Sequence, residues 1–346
     1  MEWSSIRIAV LGASGAVGRE ILPLLAERGV RPDRLSLLGS ARSAGTTMEF
    51  RDHVALVTEA SDRSFEDADL ALFAASGSAA LRFAPIASSS GACVIDNSSA
   101  FREDPETPLV IPEVNASVLG EARPPLLIAN PNCSTILLLV AVAPLVRAFG
   151  VRRLVVSTYQ AASGAGAEAM AELEAGTRAA LSGEKFEPRV FAQPAAFNCF
   201  SHDSEIDVEA GENVEERKMR SESRKILGLP DLAMTTTCIR VPVLRAHTET
   251  VAIELERPAT EPEVRELLET APGVRVIDDR AENRFPTPLD ASGGADVLVG
   301  RLRPDPSLPS EGDAHHGYCL MLSGDQLLKG AALNAVQIAD LVLPKL

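Results

Sequence analysis

The sequence predicts an α/β protein of two domains, the first built on a parallel, doubly wound sheet and the second of the α+β type. The first third of the chain alternates apolar strands with helices, beginning with "IRIAVLG" and "AVGREILPLLAERG". Strands that are apolar throughout and separated by helices are typical of a parallel sheet covered on both faces. A chain of 346 residues is also long for one hydrophobic core, so two domains are expected.

The same alternation continues through the first domain. "RLSLLGS" predicts the second strand, "DLALFAAS" the third, "SAALRFAPIASSSG" a helix and "ACVIDNSS" a further strand. We therefore place the first domain at residues 1–132. We expect the C-terminal stretch 327–346, which includes the helical pattern "NAVQIADLVL", to pack back on it.

The pattern changes after Cys133. "VRRLVVSTYQAAS", "AMTTTCIRVPVLRA" and "ETVAIELER" predict strands of a more antiparallel sheet, and "GAEAMAELEAGTRAALSG" predicts a helix among them. Residues 283–313 are rich in Pro, Gly and Asp and predict loop with one strand, "ADVLVGRLR". These elements form the second domain, residues 133–326.

Composition excludes several classes of partner. The 48 acidic and 33 basic residues give a net charge of −15, which argues against a nucleic-acid-binding or anionic-membrane surface. The N-terminus enters an apolar strand without the basic region of a signal peptide, and Pro144 interrupts the longest apolar run. The five cysteines are an odd number without a C-x-x-C pair, which predicts free thiols in a reducing compartment and no zinc site. We read His315 and His316 as a solvated loop, not a metal site.

A glycine-rich turn joins the first strand to the first helix. "AVLGASGAVGRE" places Gly12, Gly15 and Gly18 where the backbone turns tightly and approaches a phosphate, and the helix N-terminus supplies free N–H groups. The flanking strand and helix are the context that a Rossmann-like dinucleotide site requires. A plain strand-to-helix turn is the alternative.

The end of the second strand indicates which dinucleotide is bound. NAD-preferring sites usually carry a carboxylate there for the ribose 2′-hydroxyl. "LLGSARSAG" has none, but Ser40, Arg42 and Ser43 suit a 2′-phosphate, so NADP is the expected cofactor. The alternative is that Arg42 is an ordinary surface arginine.

Cys133 is the candidate nucleophile. Pro131 and Asn132 end a strand and helical periodicity follows, so Cys133 is expected at a helix N-terminus, where the dipole and free N–H groups favour the thiolate. Those N–H groups and the Asn132 side chain would also stabilise an oxyanion. The other four cysteines are expected to be buried structural residues, as free cysteines usually are.

Five ordered motifs resemble aspartate-β-semialdehyde dehydrogenase of the bacterial type, over nearly the whole chain. They are "FREDPETPLVIPEVN", "NPNCSTI", "VSTYQAASGAG", "RVPVLRAHTETV" and "KGAALNAVQIA". The resemblance implies that Cys133 forms an acyl thioester, His247 is the general acid/base and Gln160 orients the substrate. It implies that Arg240 binds the substrate carboxylate, and that Arg102 and Lys218, with Glu215 nearby, bind phosphate. At the cofactor it implies the residues Gly12, Ser14, Gly15, Ala16, Val17, Arg42 and Ser43, and at the nicotinamide end Ser163, Gly164 and Gln326.

The resemblance implies a reaction and a setting. On this resemblance, aspartyl phosphate would be reduced by NADPH to aspartate semialdehyde, for lysine (through diaminopimelate), threonine and methionine synthesis. The enzyme would be a cytoplasmic homodimer or homotetramer, with catalysis and dimerisation in the second domain. Gln160 or a carboxylate such as Glu205 or Asp207 would meet the substrate amine. Two enzymes on the same scaffold, malonyl-CoA reductase and N-acetyl-glutamyl-phosphate reductase, remain alternatives, as does an inactive paralogue that serves as a binding module.

The chain departs from the family pattern in two places. "FNCFSHDSEIDVEAGENVEERKM" replaces the usual Pro-Gln-Ile-Asp approach to the phosphate-binding lysine, and residues 202–213 are unusually acidic. Gln326 stands where Asn is commoner, although either amide would bond the carboxamide of nicotinamide.

Overall fold

A computed structural model describes residues 2–120 and 125–346. Contacts divide the chain into two compact units. The first comprises residues 1–132 together with 331–346, and the second comprises residues 133–330.

The first unit is built on a largely parallel sheet. Its seven strands within the described ranges are β1 (Ile8–Leu11), β2 (Leu35–Gly39), β3 (Thr47–Phe50), β4 (His53–Glu59), β5 (Leu70–Phe73), β6 (Cys93–Asp96) and β7 (Leu127–Ala129). Their order across the sheet is β3-β4-β2-β1-β5-β6-β7, and only the pairing of β3 with β4 is antiparallel. Because β1 and β5 are buried along their whole length, they show the continuous apolar pattern that predicts a covered parallel sheet.

Helices cover the sheet of the first unit. They are α1 (Ala16–Glu27), α2 (Gly77–Ser89) and the short α3 (Pro112–Asn115). One apolar core includes Ile21 and Leu25 of α1, and another includes Phe83 and Ala84 of α2. The sequence did not predict the β3–β4 hairpin, whose turn residue Arg51 has a φ of 54° without the Asn-Gly or Asp-Gly pair that usually marks such turns.

A mixed sheet forms the second unit. In the part of this unit that the structure describes, the sheet consists of β8 (Arg153–Gln160), β9 (Phe200–Ser201), β12 (Ala233–Arg240), β13 (His247–Thr260), β14 (Val274–Val276), β15 (Val297–Pro304), β16 (Ser310–Glu311) and β17 (Ala314–Gly324). A separate hairpin pairs β10 (Ile206–Asp207) with β11 (Glu212–Asn213). The central strands run β17-β13-β8-β12, antiparallel except for β8 with β12.

The helices of the second unit are α4 (Cys133–Phe149), α5 (Ala167–Ser182), α6 (Val214–Leu227), α7 (Glu261–Thr270) and α8 (Pro288–Ala291). The interruption expected at Pro144 is wrong, because α4 continues through Pro144 to Phe149. The described residues contain no helix long and apolar enough to cross a membrane.

The loop predicted for His315 and His316 is wrong. Both residues are in β17, where His316 Nε2 lies 3.1 Å from Glu311 Oε1.

Helix α9 (Leu333–Val342) returns the chain to the first unit. Its residues Ala335, Val336 and Ile338 belong to the same apolar core as α1. Asn334, fully buried, donates from Nδ2 to the Val110 carbonyl (3.0 Å) and to Asn130 Oδ1 (2.7 Å). A polar side chain thus fixes the position of α9.

We expect Asn334→Ala to lower the stability of the first unit by about 1–3 kcal/mol, because the buried acceptors of Val110 and Asn130 would lose a donor. The measurement is the midpoint of urea unfolding. Gln337→Ala, one turn along α9, is the matched control; its amide reaches Glu113 Oε1 at 3.2 Å in a less buried position, so a smaller shift is expected. Equal shifts for the two variants would contradict the assigned role of Asn334.

Candidate active site

Cys133 is the first residue of α4 and is partly exposed. Its Cβ lies so close to the π-helical segment Leu328–Ala332 that a Cβ added to Gly330 would be 2.9 Å away. Gly330 therefore has no room for a side chain. The sequence-based prediction did not include Gly330; its one signal is a glycine inside the helical pattern "KGAALN".

Gln160 is the last residue of β8 and is buried. Its Nε2 donates to Ser134 Oγ (2.9 Å) and to Glu215 Oε1 (3.1 Å). Its Oε1 is also buried and accepts no hydrogen bond from the residues described. The amide is held from one side, and its oxygen remains available as an acceptor.

His247 begins β13 and is fully buried. Its Nδ1 accepts the backbone N–H of Ala161 at 3.0 Å, so the proton of the neutral ring is on Nε2, which has no hydrogen-bond partner in the described part of the chain. Burial, and next the charge of Arg240, lower the pKa of His247 from 6.5 to about 3. The imidazole is therefore neutral at physiological pH and presents an N–H donor.

Gly164 lies against that donor. A Cβ on Gly164 would be 2.9 Å from His247 Cε1 and 3.0 Å from Nε2. The structure thus gives Gly164 a steric reason to be glycine; its role at the cofactor stays a prediction.

Arg240 ends β12, paired with Gln160 in parallel register, and is 2% exposed. Its Nη1 donates to the Ala161 carbonyl (2.9 Å), and its Nη2 donates to Asp203 Oδ1 and His202 Nε2 (both 2.9 Å). The chain bends between Arg240 and His247, where Ala246 has a φ of 72°. The two side chains meet at the peptide groups of Ala161.

Glu215 and Lys218 lie in the first turns of α6. Glu215 is buried, and its Oε2 is 3.6 Å from Lys218 Nζ, whose side chain is partly exposed. A capping box between Asn213 and Glu216 begins the helix. The pair places a cation and an anion side by side at the helix N-terminus.

Gln326 and Ser163 form a buried pair. Gln326 Oε1 accepts the N–H of Ala246 at 3.0 Å, and its Nε2 donates to Ser163 Oγ. The neighbouring Asp325 is fully buried and accepts from Arg245 Nε and the N–H of Gly293, both at 2.7 Å. Asp325 was missed by sequence reasoning. It anchors the segment that carries Gln326.

The glycine turn of the first unit has the expected geometry for a close backbone approach. Gly12 has a φ of 83°, and a side chain on it would overlap the carbonyl of Ala74; one on Gly18 would overlap the carbonyl of Gly12. Ser14 precedes Gly15, the N-cap of α1, and Ala16 and Val17 are the first two residues of that helix. Such a cradle fits a dinucleotide pyrophosphate at the helix N-terminus.

Arg42 and Ser43 follow β2, as expected. Arg42 is exposed, while Ser43 Oγ donates to the Ser40 carbonyl at 3.2 Å. A side chain on Gly39 would overlap Ser43 Oγ, so this glycine lets the loop fold back over the end of β2.

Arg102 and Asn132, also in the first unit, are buried. Arg102 donates from Nε to the Asn130 carbonyl (2.9 Å) and from Nη2 to the Asn97 carbonyl (2.7 Å). These two carbonyls orient the guanidinium. Its assignment to phosphate stays a prediction.

The other cysteines are only partly as expected. Cys93 and Cys238 are buried, and burial raises the pKa of both thiols, that of Cys93 to about 12. The prediction is wrong for Cys199, which is exposed, and Cys319 is half-buried. Among the described residues, no group of three or more His, Cys, Asp or Glu is placed to hold a metal ion.

These features define a class of protein: a two-unit oxidoreductase with a dinucleotide cradle and a cysteine at a helix N-terminus. Comparison with known families agrees. Residues 7–122 match the semialdehyde dehydrogenase NAD binding domain, and residues 142–329 match the semialdehyde dehydrogenase dimerisation domain.

Individual relatives narrow the class. The chain is 46% identical over 340 residues to aspartate-semialdehyde dehydrogenase of Prochlorococcus marinus, covering 98% of this chain and 96% of the relative. It is 45% identical to that of Bacillus subtilis, covering 97% and 96%. A crystal structure of aspartate semialdehyde dehydrogenase II from Vibrio cholerae, complexed with ASA, matches with a TM-score of 0.92 at 40% identity, covering 98% of each chain.

The chain belongs to the aspartate-semialdehyde dehydrogenase family. The predicted resemblance, the α/β fold class with its C-terminal helix and the assignment to the oxidoreductases are thereby confirmed. The malonyl-CoA and N-acetyl-glutamyl-phosphate reductases and the inactive paralogue are not favoured. The chain carries an NAD(P)-binding domain and a dimerisation domain.

Glu249, on β13 two residues after His247, is a further buried ionisable group. It is fully buried, and neither carboxyl oxygen has a hydrogen-bond partner among the described residues. Burial, and next the charge of Glu215, raise its pKa well above 4.5. Glu249 therefore retains a proton in the folded protein at pH values where an exposed glutamate is ionised.

His247 and Glu249 give opposite pH dependences of stability. Below pH 6.5 the unfolded chain protonates His247 while the folded protein does not, so stability falls as the pH falls from 6.5 towards 3. Above pH 4.5 the unfolded chain releases the Glu249 proton that the folded protein keeps, so stability falls as the pH rises towards the folded pKa.

We expect Glu249→Gln to remove only the loss of stability that occurs as the pH rises above 4.5. Its stability relative to the wild-type protein should rise as the pH rises above 4.5, by up to about 1.4 kcal/mol per pH unit. Urea midpoints across this range are the measurement. His247→Gln is the control, and its relative stability should rise as the pH falls. A difference for Glu249→Gln that does not change with pH would refute the assignment.

Proposed function

We propose that this protein reduces L-aspartyl-4-phosphate to L-aspartate-4-semialdehyde and phosphate, with NADPH as the reductant. One observation carries the proposal. Ser134, the residue after the candidate nucleophile, is hydrogen-bonded to Gln160. Ala161, which follows Gln160 in the chain, is hydrogen-bonded to both Arg240 and His247. The last residue of β8 and the residue that follows it therefore orient the groups that acyl transfer to sulfur needs.

The first step is acyl transfer. The Cys133 thiolate, favoured by the N-terminus of α4, attacks the acyl carbon; the C–S bond forms, the bond from carbon to the phosphate oxygen breaks, and phosphate leaves. We assign the departing phosphate to Arg102 and Lys218, with Glu215 beside the lysine, and oxyanion stabilisation to Asn132. Gln160 Oε1 is the free acceptor that would orient the substrate.

The second step is reduction of the thioester. NADPH, when bound, supplies the hydride. We assign its pyrophosphate to the cradle from Gly12 to Val17 and its 2′-phosphate to Arg42 and Ser43. At the nicotinamide end we assign Ser163, Gly164 and Gln326.

His247 acts on the oxygen of the reacting carbonyl. Its Nε2–H, which no described protein group accepts, would donate a hydrogen bond to the acyl oxygen as that oxygen becomes negative. The hydrogen bond stabilises the oxyanion that hydride transfer forms, and the proton stays on Nε2 because its loss from a neutral ring would leave an imidazolate. Collapse of the oxyanion re-forms the C=O bond, breaks the C–S bond and releases the aldehyde, and Cys133 leaves as the thiolate.

We further propose a cytoplasmic homodimer or homotetramer that serves lysine, threonine and methionine synthesis. The matching dimerisation domain and the names of the relatives support this assignment.

We expect Cys133→Ala to abolish NADPH formation from aspartate semialdehyde, phosphate and NADP, with the urea midpoint unchanged. Cys133→Ser should also be very poor, because a serine alkoxide is far harder to form than a thiolate. Cys199→Ser, which removes an exposed thiol, is the control and should keep full activity. Activity of Cys133→Ala near that of the wild type would rule out the thioester mechanism.

Arg42→Ala tests the choice of dinucleotide. Loss of a charge-assisted contact is worth about 1.5–3 kcal/mol, so the KM for NADP should rise about 10- to 100-fold while the KM for NAD changes little. Arg63→Ala, another exposed arginine of the first unit, is the control and should change neither constant. Equal changes for both cofactors would remove Arg42 from the 2′-phosphate site.

A further inference from the structure

Two asparagines follow adjacent parallel strands of the first unit. Asn97 comes directly after β6 and Asn130 directly after β7, and the last residues of these strands, Asp96 and Ala129, are paired in register. The carboxyl ends of the strands form the edge at which open α/β sheets bind their ligands. Both asparagines therefore lie at the edge of the sheet where a ligand is expected.

The backbone carbonyls of these two asparagines hold Arg102. Its Nε donates to the Asn130 carbonyl at 2.9 Å, and its Nη2 donates to the Asn97 carbonyl at 2.7 Å. Nε and Nη2 lie on one edge of the planar guanidinium, so two acceptors on that edge fix its direction. The orientation of Arg102, which is 8% exposed, therefore depends on the distance between two carbonyls that follow different strands.

Three side-chain amides, which we call the asparagine network, connect these strand ends to α9. Asn334 donates from Nδ2 to Asn130 Oδ1 at 2.7 Å, and Asn130 donates from Nδ2 to Asn97 Oδ1 at 3.1 Å. Asn97 donates from Nδ2 to the Phe73 carbonyl, at the end of β5, at 2.7 Å. Asn130 and Asn334 are 1% and 0% exposed, so water does not replace these partners. The network sets the spacing of the two carbonyls that hold Arg102.

Resting on the proposed function, which assigns Arg102 to phosphate, we propose that Asn334 is a positioning residue for phosphate. Through the asparagine network it fixes the two carbonyls that orient the guanidinium. Arg102 is thereby held where phosphate leaves in the forward reaction and attacks the thioester in the reverse reaction. A small displacement of such a charged group weakens its contact with the ligand, because positioning contributes much of the effect of a binding residue.

A role of Asn334 in stability alone would have a different kinetic result. Loss of stability lowers the fraction of folded enzyme and hence the apparent kcat, but it does not change the KM for one substrate selectively. Loss of positioning raises the KM for phosphate in the folded enzyme. It leaves the KM values for aspartate semialdehyde and NADP unchanged, because Arg102 is assigned to neither.

The test measures NADPH formation from aspartate semialdehyde, phosphate and NADP, with each substrate varied in turn. Arg102→Ala should raise the KM for phosphate about 10- to 100-fold, the effect of one charge-assisted contact. Asn334→Ala should raise it about 3- to 10-fold, a part of that effect, because the cation is displaced and not removed. Gln337→Ala, one turn further along α9, is the matched control and should change none of the three KM values.

A double variant separates positioning of Arg102 from any other effect of Asn334. Once Arg102 has been replaced by alanine, Asn334→Ala should cause no further rise in the KM for phosphate, because residues that act through one another are not additive. A urea midpoint measured beforehand shows whether each variant is folded. If Asn334→Ala does not fold, Asn130→Ala, which breaks the network at its middle residue, is used in its place.

Three results would overturn the proposal while Arg102 keeps its assignment. They are an unchanged KM for phosphate in Asn334→Ala, equal rises for all three substrates, and additive effects in the double variant. If Arg102→Ala leaves the KM for phosphate unchanged, the phosphate assignment of the proposed function fails separately. A crystal structure of Asn334→Ala then decides the role of Asn334: a displaced guanidinium would support positioning, and one that still contacts both carbonyls would contradict it.

Discussion

The arrangement of the candidate active site in the second unit depends on the peptide groups of Ala161. The N–H of Ala161 sets the tautomer of His247, and its carbonyl holds the guanidinium of Arg240. Because these partners end or begin different strands, the registers of β8 with β12 and with β13 decide whether the three groups meet. A shift of one residue in either pairing would turn every side chain to the opposite face.

Several ionisable groups are buried in the second unit, and they differ in how the cost of burying a charge is offset. Arg240 is paired with Asp203, and Asp325 accepts hydrogen bonds from Arg245 and Gly293. Glu249 has no such partner among the described residues and retains its proton instead. A charged group buried without compensation would cost several kcal/mol, so pairing and protonation are the two ways this unit keeps polar residues inside.

Local patterns in the sequence predicted those strands, turns and helix termini whose conformation is set by residues close together in the chain. Apolar runs separated by helical patterns predicted the parallel sheet of the first unit, and three glycines predicted its phosphate cradle. Pro131 and Asn132 before an apolar helical run placed Cys133 at the start of α4. Each strand, helix start and glycine turn is signalled within about 20 residues, because backbone conformation and helix termini are set locally.

Only the tertiary structure decided which distant residues meet. Asp203 reaches Arg240 across 37 positions, and Gly164 lies against His247 although 83 positions separate them in the sequence. The exposure of Cys199 and the strand position of His315 and His316 also escaped the sequence patterns, because burial depends on what the rest of the chain packs against a residue. A strand pattern states which face a side chain takes, but the partner on that face is set by strand order and register, which composition and periodicity do not encode.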